Sequence, residues 1–355
     1  MFMEEHMLHN KRFFLVSVVL ALSLVVGVFA AGAQEGTTLG PIAQRIVDRG
    51  ELICGVNAAL PGFGVVNESG EYQGFDVDFC KAVAVALLGD ANAVSYRPLT
   101  GAERQAAIQS GEIDMMSRNT TFTISRDVTW AATFAPTTFY DGQGIMTRAD
   151  LGITTMEELD GGSICVQSGT TTELNITDAI SSRGLNIDLV VFPDAPGTWE
   201  GYISGRCDAW TTDKSGLVSY QATAEDPGAH VILEVTLSKE PLGPLTPQSD
   251  EQFAEIVRWV VYGLIQAEEF GITSENIGDF MDSQNPDIQR FLGLNDNPSG
   301  SYLGVANDFM VQIITQVGNY GEIYARHLGV APFNLARGVN ALWTNGGLLY
   351  APPFR

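Results

Sequence analysis

The chain has 355 residues, of which 42 are acidic and 19 are basic, so its formal net charge is −23. That charge argues against nucleic acid or an anionic membrane surface as its partner. It does not exclude a small anionic ligand, because one buried arginine can set the local field. A hydrophobic content of 45% is enough to fill the cores of two or three domains.

The first 33 residues have the pattern of a secretory signal peptide. Lys11 and Arg12 precede an apolar run over residues 13–31, and Ala31-Gly-Ala33 supplies the small residues that favour cleavage after Ala33. An uncleaved membrane anchor is the alternative, since the run is long enough to span a bilayer. No cysteine follows Ala33 directly, so no lipid attachment is expected. We expect residues 1–33 to be removed and the mature protein to be soluble and periplasmic.

The next part of the chain alternates strand and helix patterns. The apolar positions predict strands at 52–56, 94–98 and 113–116, and helices at 75–88 and 102–110. A β-α-β-α-β order of this kind implies a parallel sheet.

The same order restarts after Arg148 and predicts a second, smaller α/β unit. Its elements are a short helix at 156–159, strands at 163–166, 189–192 and 207–211, and helices at 172–183 and 198–204. A proline-rich passage at 239–247 follows, and then helices at 251–269, 288–292 and 308–328. We therefore expect lobe 1 to comprise residues 34–145 plus 236–355, with a helical C-terminal extension, and lobe 2 to comprise 146–235. Two crossings, near 141–148 and 234–241, would form a hinge.

Four cysteines remain, and an even number in an exported protein favours disulfides. We favour Cys54–Cys80 and Cys165–Cys207, because each pair lies within one predicted lobe. Four buried free thiols are the alternative.

The sequence gives little support for a metal site or for catalysis. No two cysteines have C-x-x-C spacing, and only His230 and His327 follow the signal peptide, so no metal site and no cofactor are expected. The chain has no G-x-S-x-G, H-E-x-x-H or P-loop motif.

Polar loops follow the predicted strands of both units. In open α/β sheets, ligands bind beyond the carboxyl ends of the strands. Loops at 57–63, 117–126, 168–172 and 211–213 fit that rule and would face one cleft. The two units also share a pattern, since Ser110-Gly-Glu-Ile-Asp114 is echoed by Ser204-Gly-Arg-Cys-Asp208.

One of these loops offers a cation and another an anion. The planar fork of Arg126 can make two parallel hydrogen bonds to one carboxylate, and Asp213 can bind an ammonium group. Together they would complement a zwitterion such as a free amino acid, whose charges are costly to bury unpaired. Hydroxyl and amide groups that would satisfy the remaining polar atoms come from Asn119, Thr121, Thr170 and Thr171.

Structural roles are the alternative for each of these residues. Arg126 could form a surface ion pair with Asp127, and Asp213 or the threonines at 170–172 could cap helices. Trp130, Trp199 and Trp210 are expected to pack in cores rather than to stack on a ligand.

These motifs resemble the polar amino-acid-binding proteins of bacterial ABC importers, solute-binding protein family 3, and within it the general L-amino-acid-binding branch. The likeness covers nearly the whole mature chain, and the four cysteine positions match that branch. The motifs that carry it include Leu52-Ile-Cys-Gly-Val-Asn57, Gly74-Phe-Asp-Val-Asp-Phe-Cys80, Ser117-Arg-Asn-Thr-Thr121, Tyr140-Asp-Gly-Gln-Gly144, Val166-Gln-Ser-Gly-Thr-Thr-Thr-Glu173 and Gly347-Leu-Leu-Tyr-Ala-Pro-Pro353.

The resemblance implies a two-lobed, type II periplasmic-binding-protein fold with the ligand in the cleft between the lobes. It assigns the α-carboxylate to Arg126 and the α-ammonium to Asp213. Shorter relatives sandwich the ligand side chain between aromatics, but this chain has Leu60 and approximately Gly101 at those places. Phe122 and Arg104 are the weaker candidates for lining this pocket, which would suit broad specificity.

The function implied is that of a receptor, expected to be monomeric, that delivers L-amino acids to an ABC permease and performs no chemistry. A dehydratase on the same fold, using Asp213 as its acid or base, is the main rival. It would need a raised pKa at Asp213, and the polar loop there argues against one. A sensory ligand-binding module is a second rival.

Overall fold

A computed structural model describes residues 38–295 and 299–355, so the predicted signal peptide lies outside the described residues. The strands are β1 (Leu52–Val56), β2 (Ala59–Leu60), β3 (Gly64–Val66), β4 (Tyr72–Gln73), β5 (Val94–Pro98), β6 (Met115–Met116), β7 (Ala132–Phe134), β8 (Phe139–Arg148), β9 (Ser163–Gln167), β10 (Asp188–Phe192), β11 (Ala209–Asp213), β12 (His230–Ile232), β13 (Lys239–Leu242) and β14 (Leu245–Pro247).

Helices pack on both sheets and build the C-terminal extension. They are α1 (Pro41–Arg49), α2 (Phe75–Leu88), α3 (Arg104–Ser110), α4 (Ile124–Thr129), α5 (Thr171–Arg183), α6 (Ala195–Ile203), α7 (Lys214–Ala222), α8 (Glu251–Phe270), α9 (Pro286–Phe291), α10 (Ser299–Leu303), α11 (Phe309–Val317) and α12 (Tyr320–His327). None of the helices in the described ranges is long and apolar enough to cross a membrane.

The first sheet has the strand order β5-β1-β6-β14-β7. Strand β1 pairs in parallel with β5 and β6, as the alternating pattern predicts. The parallel arrangement of these three predicted strands is therefore confirmed. Strand β14 runs antiparallel to both β6 and β7, so the complete sheet is mixed. The reason lies in connectivity, because β14 joins this sheet only after the chain has returned from the second lobe.

The second sheet has the order β10-β9-β11-β8-β12, and its long strand β8 connects the lobes. The first part of β8 pairs with β13, with Phe139 opposite Leu242 and Gly142 opposite Lys239. Its remainder pairs antiparallel with β11, from Gln143 onward. Strands β8 and β13 are therefore the two crossings of a two-lobed fold.

A glycine and an asparagine divide the single helix predicted at 308–328. Gly318 has a φ of 91° and ends α11. Asn319 then caps α12 by accepting the backbone N–H of Glu322, whose carboxylate accepts the N–H of Asn319 in return. This reciprocal capping box starts a new helix.

Each lobe contains one disulfide, in the pairing that the sequence favours. Cys54 on β1 is bonded to Cys80 on α2, and Cys165 on β9 is bonded to Cys207, two residues before β11. In the second lobe, Trp210 is buried, with its ring centroid 5.6 Å from that of Trp199. Both rings serve packing, as predicted.

A single carboxylate caps two helices where the chain's early and late segments meet. The Asp250 carboxylate accepts the N–H groups of Ile42 (2.7 Å) and Ala43 (3.2 Å) at the start of α1. It also accepts the N–H of Phe253 (2.9 Å) in the first turn of α8. Asp250 is buried, so removing its carboxylate would leave these donors without partners.

We expect Asp250→Ala to lower the free energy of unfolding by about 2–4 kcal/mol, because two helix ends lose their cap inside the protein. Urea denaturation followed by circular dichroism would measure this. Asp308→Ala is the matched control, since Asp308 occupies the N-cap position of α11 without a capping bond and should change stability by less than about 0.5 kcal/mol. Equal losses in both variants would contradict the assignment.

Candidate functional site

Helix α4 fixes the orientation of Arg126. Thr123 caps this helix by accepting the backbone N–H of Arg126 at 3.2 Å, and Trp130 follows one turn later. The guanidinium lies 5.0 Å from the centroid of the Trp130 ring, and its Nη1 donates to the Thr121 carbonyl at 2.9 Å. This packing on an aromatic face holds the guanidinium in place.

Arg126 is buried and forms no ion pair with Asp127 among the described residues, so the surface-pair alternative is wrong. Apart from the bond to the Thr121 carbonyl, the N–H groups of its guanidinium have no hydrogen-bond partner within the same residues. Burial lowers the pKa of Arg126, and the nearby carboxylates of Glu240 and Asp213 oppose that shift. An arginine nevertheless stays charged, so this part of the first lobe presents a cation with donors to spare.

Asp213 lies at the end of β11 in the second lobe and is buried, with 7% of its surface exposed. It occupies the N-cap position of α7, but its side chain makes no capping bond. Asp141 on β8 instead accepts a hydrogen bond from the first turn of α7, from the N–H of Ser215 at 3.3 Å. The carboxylate of Asp213 thus accepts no hydrogen bond from any described residue.

Two aspartates of the cleft, Asp213 and Asp141, have raised pKa values. Burial raises the pKa of Asp213 well above its ordinary value, and the charges of Asp141 and Glu240 raise it further, while Arg104 and Arg126 oppose the shift. Burial likewise raises the pKa of Asp141 to about 6. The expectation that the polar loop would prevent a raised pKa at Asp213 is wrong, because desolvation outweighs the local polarity.

Glu240 on β13 is a cleft residue that the sequence analysis missed. It is 1% exposed, and its Oε2 accepts hydrogen bonds from the hydroxyls of Thr121 (2.6 Å) and Thr171 (3.0 Å). Its Oε1 accepts from Asn175 at 2.9 Å and from Ser238. Glu240 thus joins a first-lobe loop, a second-lobe helix and the crossing strand. It stands in a proline-rich passage whose sequence carries no signal for such a role.

The remaining predicted polar residues divide between the cleft and helix capping. Thr121 and Thr171 face each other across the lobes, with hydroxyl oxygens 3.2 Å apart. Thr170 caps α5 by accepting the N–H of Glu173, which is the structural alternative named above. Asn119 has a φ of 20°, and its side-chain oxygen accepts a hydrogen bond from Asn57 at 3.2 Å.

The two candidates for lining the side-chain pocket lie in different surroundings. Phe122 is 43% exposed and stacks on Phe134, with centroids 4.6 Å apart. Arg104 is buried, and its Nη2 donates to the carbonyl of Gly169 in the second lobe at 3.1 Å. Burial lowers the pKa of Arg104, and the charges of Arg118 and Arg126 lower it further.

The lobes are in direct contact around these residues. The Tyr220 hydroxyl of the second lobe donates to the Ala59 carbonyl of the first at 2.6 Å. A side chain on Gly101 would place its Cβ only 2.9 Å from the Ser168 carbonyl oxygen across the cleft. The absence of a side chain at Gly101 therefore permits the observed closure. Leu60, at the other position where shorter relatives have an aromatic residue, is buried.

A cavity of about 240 Å³ opens beside the contact. Both lobes line it, and the residues that bring polar side chains to it include Asn57, Glu103, Arg118, Gln167 and Asp194. Across residues 38–295 and 299–355, no group of three or more histidine, cysteine, aspartate or glutamate side chains could hold a metal ion.

A family model for bacterial extracellular solute-binding proteins, family 3, matches residues 52–330. The chain belongs to this family. It is 49% identical to the general L-amino acid-binding periplasmic protein AapJ of Rhizobium johnstonii, over 97% of this chain and all of that protein. It is 45% identical to the glutamate/glutamine/aspartate/asparagine-binding protein BztA of Rhodobacter capsulatus, over 94% of this chain and 98% of that one.

A solved structure has a fold similar to most of this family 3 protein. It is an ABC transporter periplasmic binding protein from Brucella ovis with glutathione bound, 46% identical to this chain. The superposition has a TM-score of 0.86 and covers 88% of this chain and 99% of that one. The chain is thus a solute-binding receptor with the two-lobed architecture that the sequence predicts.

We expect Glu240→Ala to separate the lobes, because four donors lose the acceptor that joins them. Truncating a buried carboxylate that bridges several groups costs about 2–5 kcal/mol, enough to shift an open–closed equilibrium. Small-angle X-ray scattering would show a larger radius of gyration than for the wild type. Glu225→Ala, at an exposed site in the second lobe, is the control. An unchanged radius in Glu240→Ala would contradict the bridging role.

Proposed function

We propose that this protein captures L-amino acids between its lobes and delivers them to the membrane subunits of an ABC importer. The observation that carries the proposal is the pairing of opposite, unsatisfied charges across the cleft. Arg126 in the first lobe has N–H groups to spare, and Asp213 in the second accepts no hydrogen bond from the described residues. An α-amino acid supplies both a carboxylate and an ammonium group.

In this proposal Arg126 binds the α-carboxylate and Asp213 the α-ammonium. Thr121 and Thr171 lie at the junction of the lobes and would complete the hydrogen bonding, together with Asn119 and Thr170. Because the charges come from different lobes, the ligand would stabilise the closed arrangement by its differential affinity for it.

We propose a broad specificity for the side chain. The positions at which shorter relatives carry an aromatic clamp hold Leu60 and Gly101, and a glycine offers no side chain where it faces Ser168 of the second lobe. Phe122 and Arg104 remain candidates for contacting the ligand side chain. The names of the two relatives above support this proposal, because one is named a general L-amino acid-binding protein and the other is named for binding four amino acids.

A γ-glutamyl peptide is a second candidate ligand. The Brucella ovis protein is described with glutathione bound, and the γ-glutamyl end of that tripeptide carries a free α-ammonium and a free α-carboxylate. The same Arg126 and Asp213 could bind that end. The cavity of about 240 Å³ between the lobes, with Asn57 and Arg118 in its wall, would have room for part of the remainder.

The dehydratase alternative would use the raised pKa of Asp213 for proton transfer. We favour binding over catalysis, because a raised pKa is also expected of a buried carboxylate in a binding site for a cationic group before that group is bound. A turnover assay with small carboxylic acids would separate the two.

The remaining features of the proposal concern export and organisation. We propose cleavage after Ala33 and a monomeric mature protein. Residues 34–145 plus 236–355 would form lobe 1, and 146–235 would form lobe 2. N-terminal sequencing of the exported protein and light scattering would test these points.

We expect Arg126→Ala to weaken amino-acid binding by about 100-fold or more, because truncating one partner of a buried charge pair costs at least about 2–5 kcal/mol. Isothermal titration of the refolded mature protein with the twenty common L-amino acids and glutathione would measure it. Arg126→Lys keeps the charge but loses the planar fork, so its affinity should lie between those of the wild type and Arg126→Ala. Arg97→Ala, at an exposed ion pair, is the control.

Binding that survives Arg126→Ala would place the carboxylate elsewhere. No binding of any compound by the wild type would refute the proposed ligand class.

We expect amino-acid affinity to fall as the pH drops through about 6, the raised pKa of Asp141, which neighbours Asp213. In the unbound protein, the raised pKa values of Asp141 and Asp213 keep these side chains protonated at pH values where an ordinary aspartate is ionised. A bound ammonium favours the ionised forms, so binding releases protons and strengthens as the pH rises. Titrations in buffers of different ionisation enthalpy would count those protons. The Asp213→Asn variant should bind weakly and release fewer. A constant wild-type affinity from about pH 5 to pH 8 would contradict this linkage.

A further inference from the structure

Arg118 is a further buried arginine of the cleft, alongside Arg104 and Arg126, and its side chain is only 5% exposed. Its Nε donates to the Leu99 carbonyl at 2.7 Å, and its guanidinium makes no other hydrogen bond or ion pair with the residues that the structure describes. Arg104, by contrast, donates from all three of its side-chain nitrogens to neutral acceptors. Both Nη groups of Arg118 therefore remain available to an anion.

Arg118 lines the cavity of about 240 Å³ between the lobes. Two acidic side chains of the same wall are bound by backbone donors. Glu103 is exposed and accepts the N–H of Thr100 at 2.7 Å, and the half-buried Asp194 accepts the N–H of Gly197 at 2.7 Å. Since neither acid forms an ion pair with Arg118, the buried cation at this cavity is left for another partner.

The cavity adjoins the proposed amino-acid site in both lobes. Arg118 directly precedes Asn119, whose side-chain oxygen accepts a hydrogen bond from the cavity residue Asn57 at 3.2 Å. In the second lobe, the Thr170 hydroxyl donates at 2.7 Å to the carbonyl of Gln167, which also lines the cavity. Asn119 and Thr170 are both among the proposed ligand contacts, so a ligand held there would extend its remaining atoms toward Arg118.

The charges of the amino-acid site also act on Arg118. Burial lowers the pKa of Arg118 to about 10, Asp76 and Asp213 oppose that shift, and Arg126 adds to it. At neutral pH the guanidinium therefore stays charged. Buried like charges are stabilised when each receives an anion. A ligand with a single carboxylate would neutralise Arg126 alone, whereas a ligand with two would neutralise both arginines.

We propose that Arg118 forms a second carboxylate subsite, which favours amino-acid ligands that carry another carboxylate beyond the α-carbon. The proposal rests on the proposed function, in which Arg126 and Asp213 bind the α-carboxylate and the α-ammonium. The planar guanidinium of Arg118 makes two parallel hydrogen bonds to the second carboxylate. That carboxylate is the side chain of an acidic amino acid or the C-terminus of a γ-glutamyl peptide. Amides of the same shape lack its charge.

The test compares ligands of the same shape that differ in one charge. The pairs are L-glutamate with L-glutamine, and glutathione with its C-terminal amide. Each ligand is titrated calorimetrically into the refolded mature protein as the wild type, Arg118→Gln and Arg118→Lys. Arg97→Gln is the matched control, because Arg97 lies in the same lobe and forms an exposed ion pair with Glu112.

We expect the wild type to bind the acid of at least one pair about tenfold or more tightly than the amide. Arg118→Gln should remove that preference by weakening the binding of the acid, while the amide binds within about threefold of the wild type. Arg118→Lys keeps the charge and should keep part of the preference, and the control should keep all of it. The pair that responds identifies the source of the second carboxylate.

Equal weakening of acid and amide by Arg118→Gln would overturn the subsite and assign Arg118 to the α-carboxylate or to the support of its loop. A wild type without a preference for the acid, or a preference that Arg118→Gln leaves unchanged, would overturn it as well. In each of these cases the wild type still binds amino acids, so the proposed function stands. A wild type that binds none of these ligands and none of the other common amino acids would instead refute the proposed function itself.

Discussion

The hydrogen bonds of the Glu240 carboxylate hold together the arrangement on which the rest of the cleft depends. Thr121 comes from one lobe, Thr171 and Asn175 come from the other, and Glu240 itself lies on the crossing strand β13. A carboxylate buried away from water needs several donors to offset its desolvation. Donors from both lobes reach Glu240 only where the lobes meet, so the hydrogen bonding of its carboxylate and the closure of the lobes are linked.

The second constraint is the balance of charge in the closed cleft. The side chains of Asp141, Asp213 and Glu240 lie near those of Arg104 and Arg126. Asp141 and Glu240 raise the pKa of Asp213, which Arg104 and Arg126 oppose, and Asp213 and Glu240 oppose the lowering of the pKa of both arginines. Helix α7 adds the N–H of Ser215, which Asp141 accepts in place of the capping residue. This arrangement leaves Asp213 without a donor. A carboxylate left in that position is suited to an incoming cationic group, and Arg126 is suited to an anionic one.

Local sequence patterns predicted much of the fold. The helix at 75–88 and the strands at 52–56 and 94–98 have the predicted bounds, because each carries a strong periodic pattern and ends at glycine, asparagine or proline. Local patterns did not predict the bounds of strands that form only through contacts with distant segments. The two-residue strand β6 and the long strand β8 exist through their pairing partners, and their sequences alone do not set their ends.

The sequence by itself determined the family, the two repeated α/β units and the choice of Arg126 and Asp213 as candidates, and it favoured the disulfide pairing that the structure then decided. These depend on residue types at fixed spacings. The tertiary structure decided that Arg126 lies on the ring of Trp130, that Thr170 caps a helix while Thr171 faces Glu240, and that burial raises the pKa of Asp213. Burial and cross-lobe hydrogen bonds depend on which distant segments come together, and no local spacing records that.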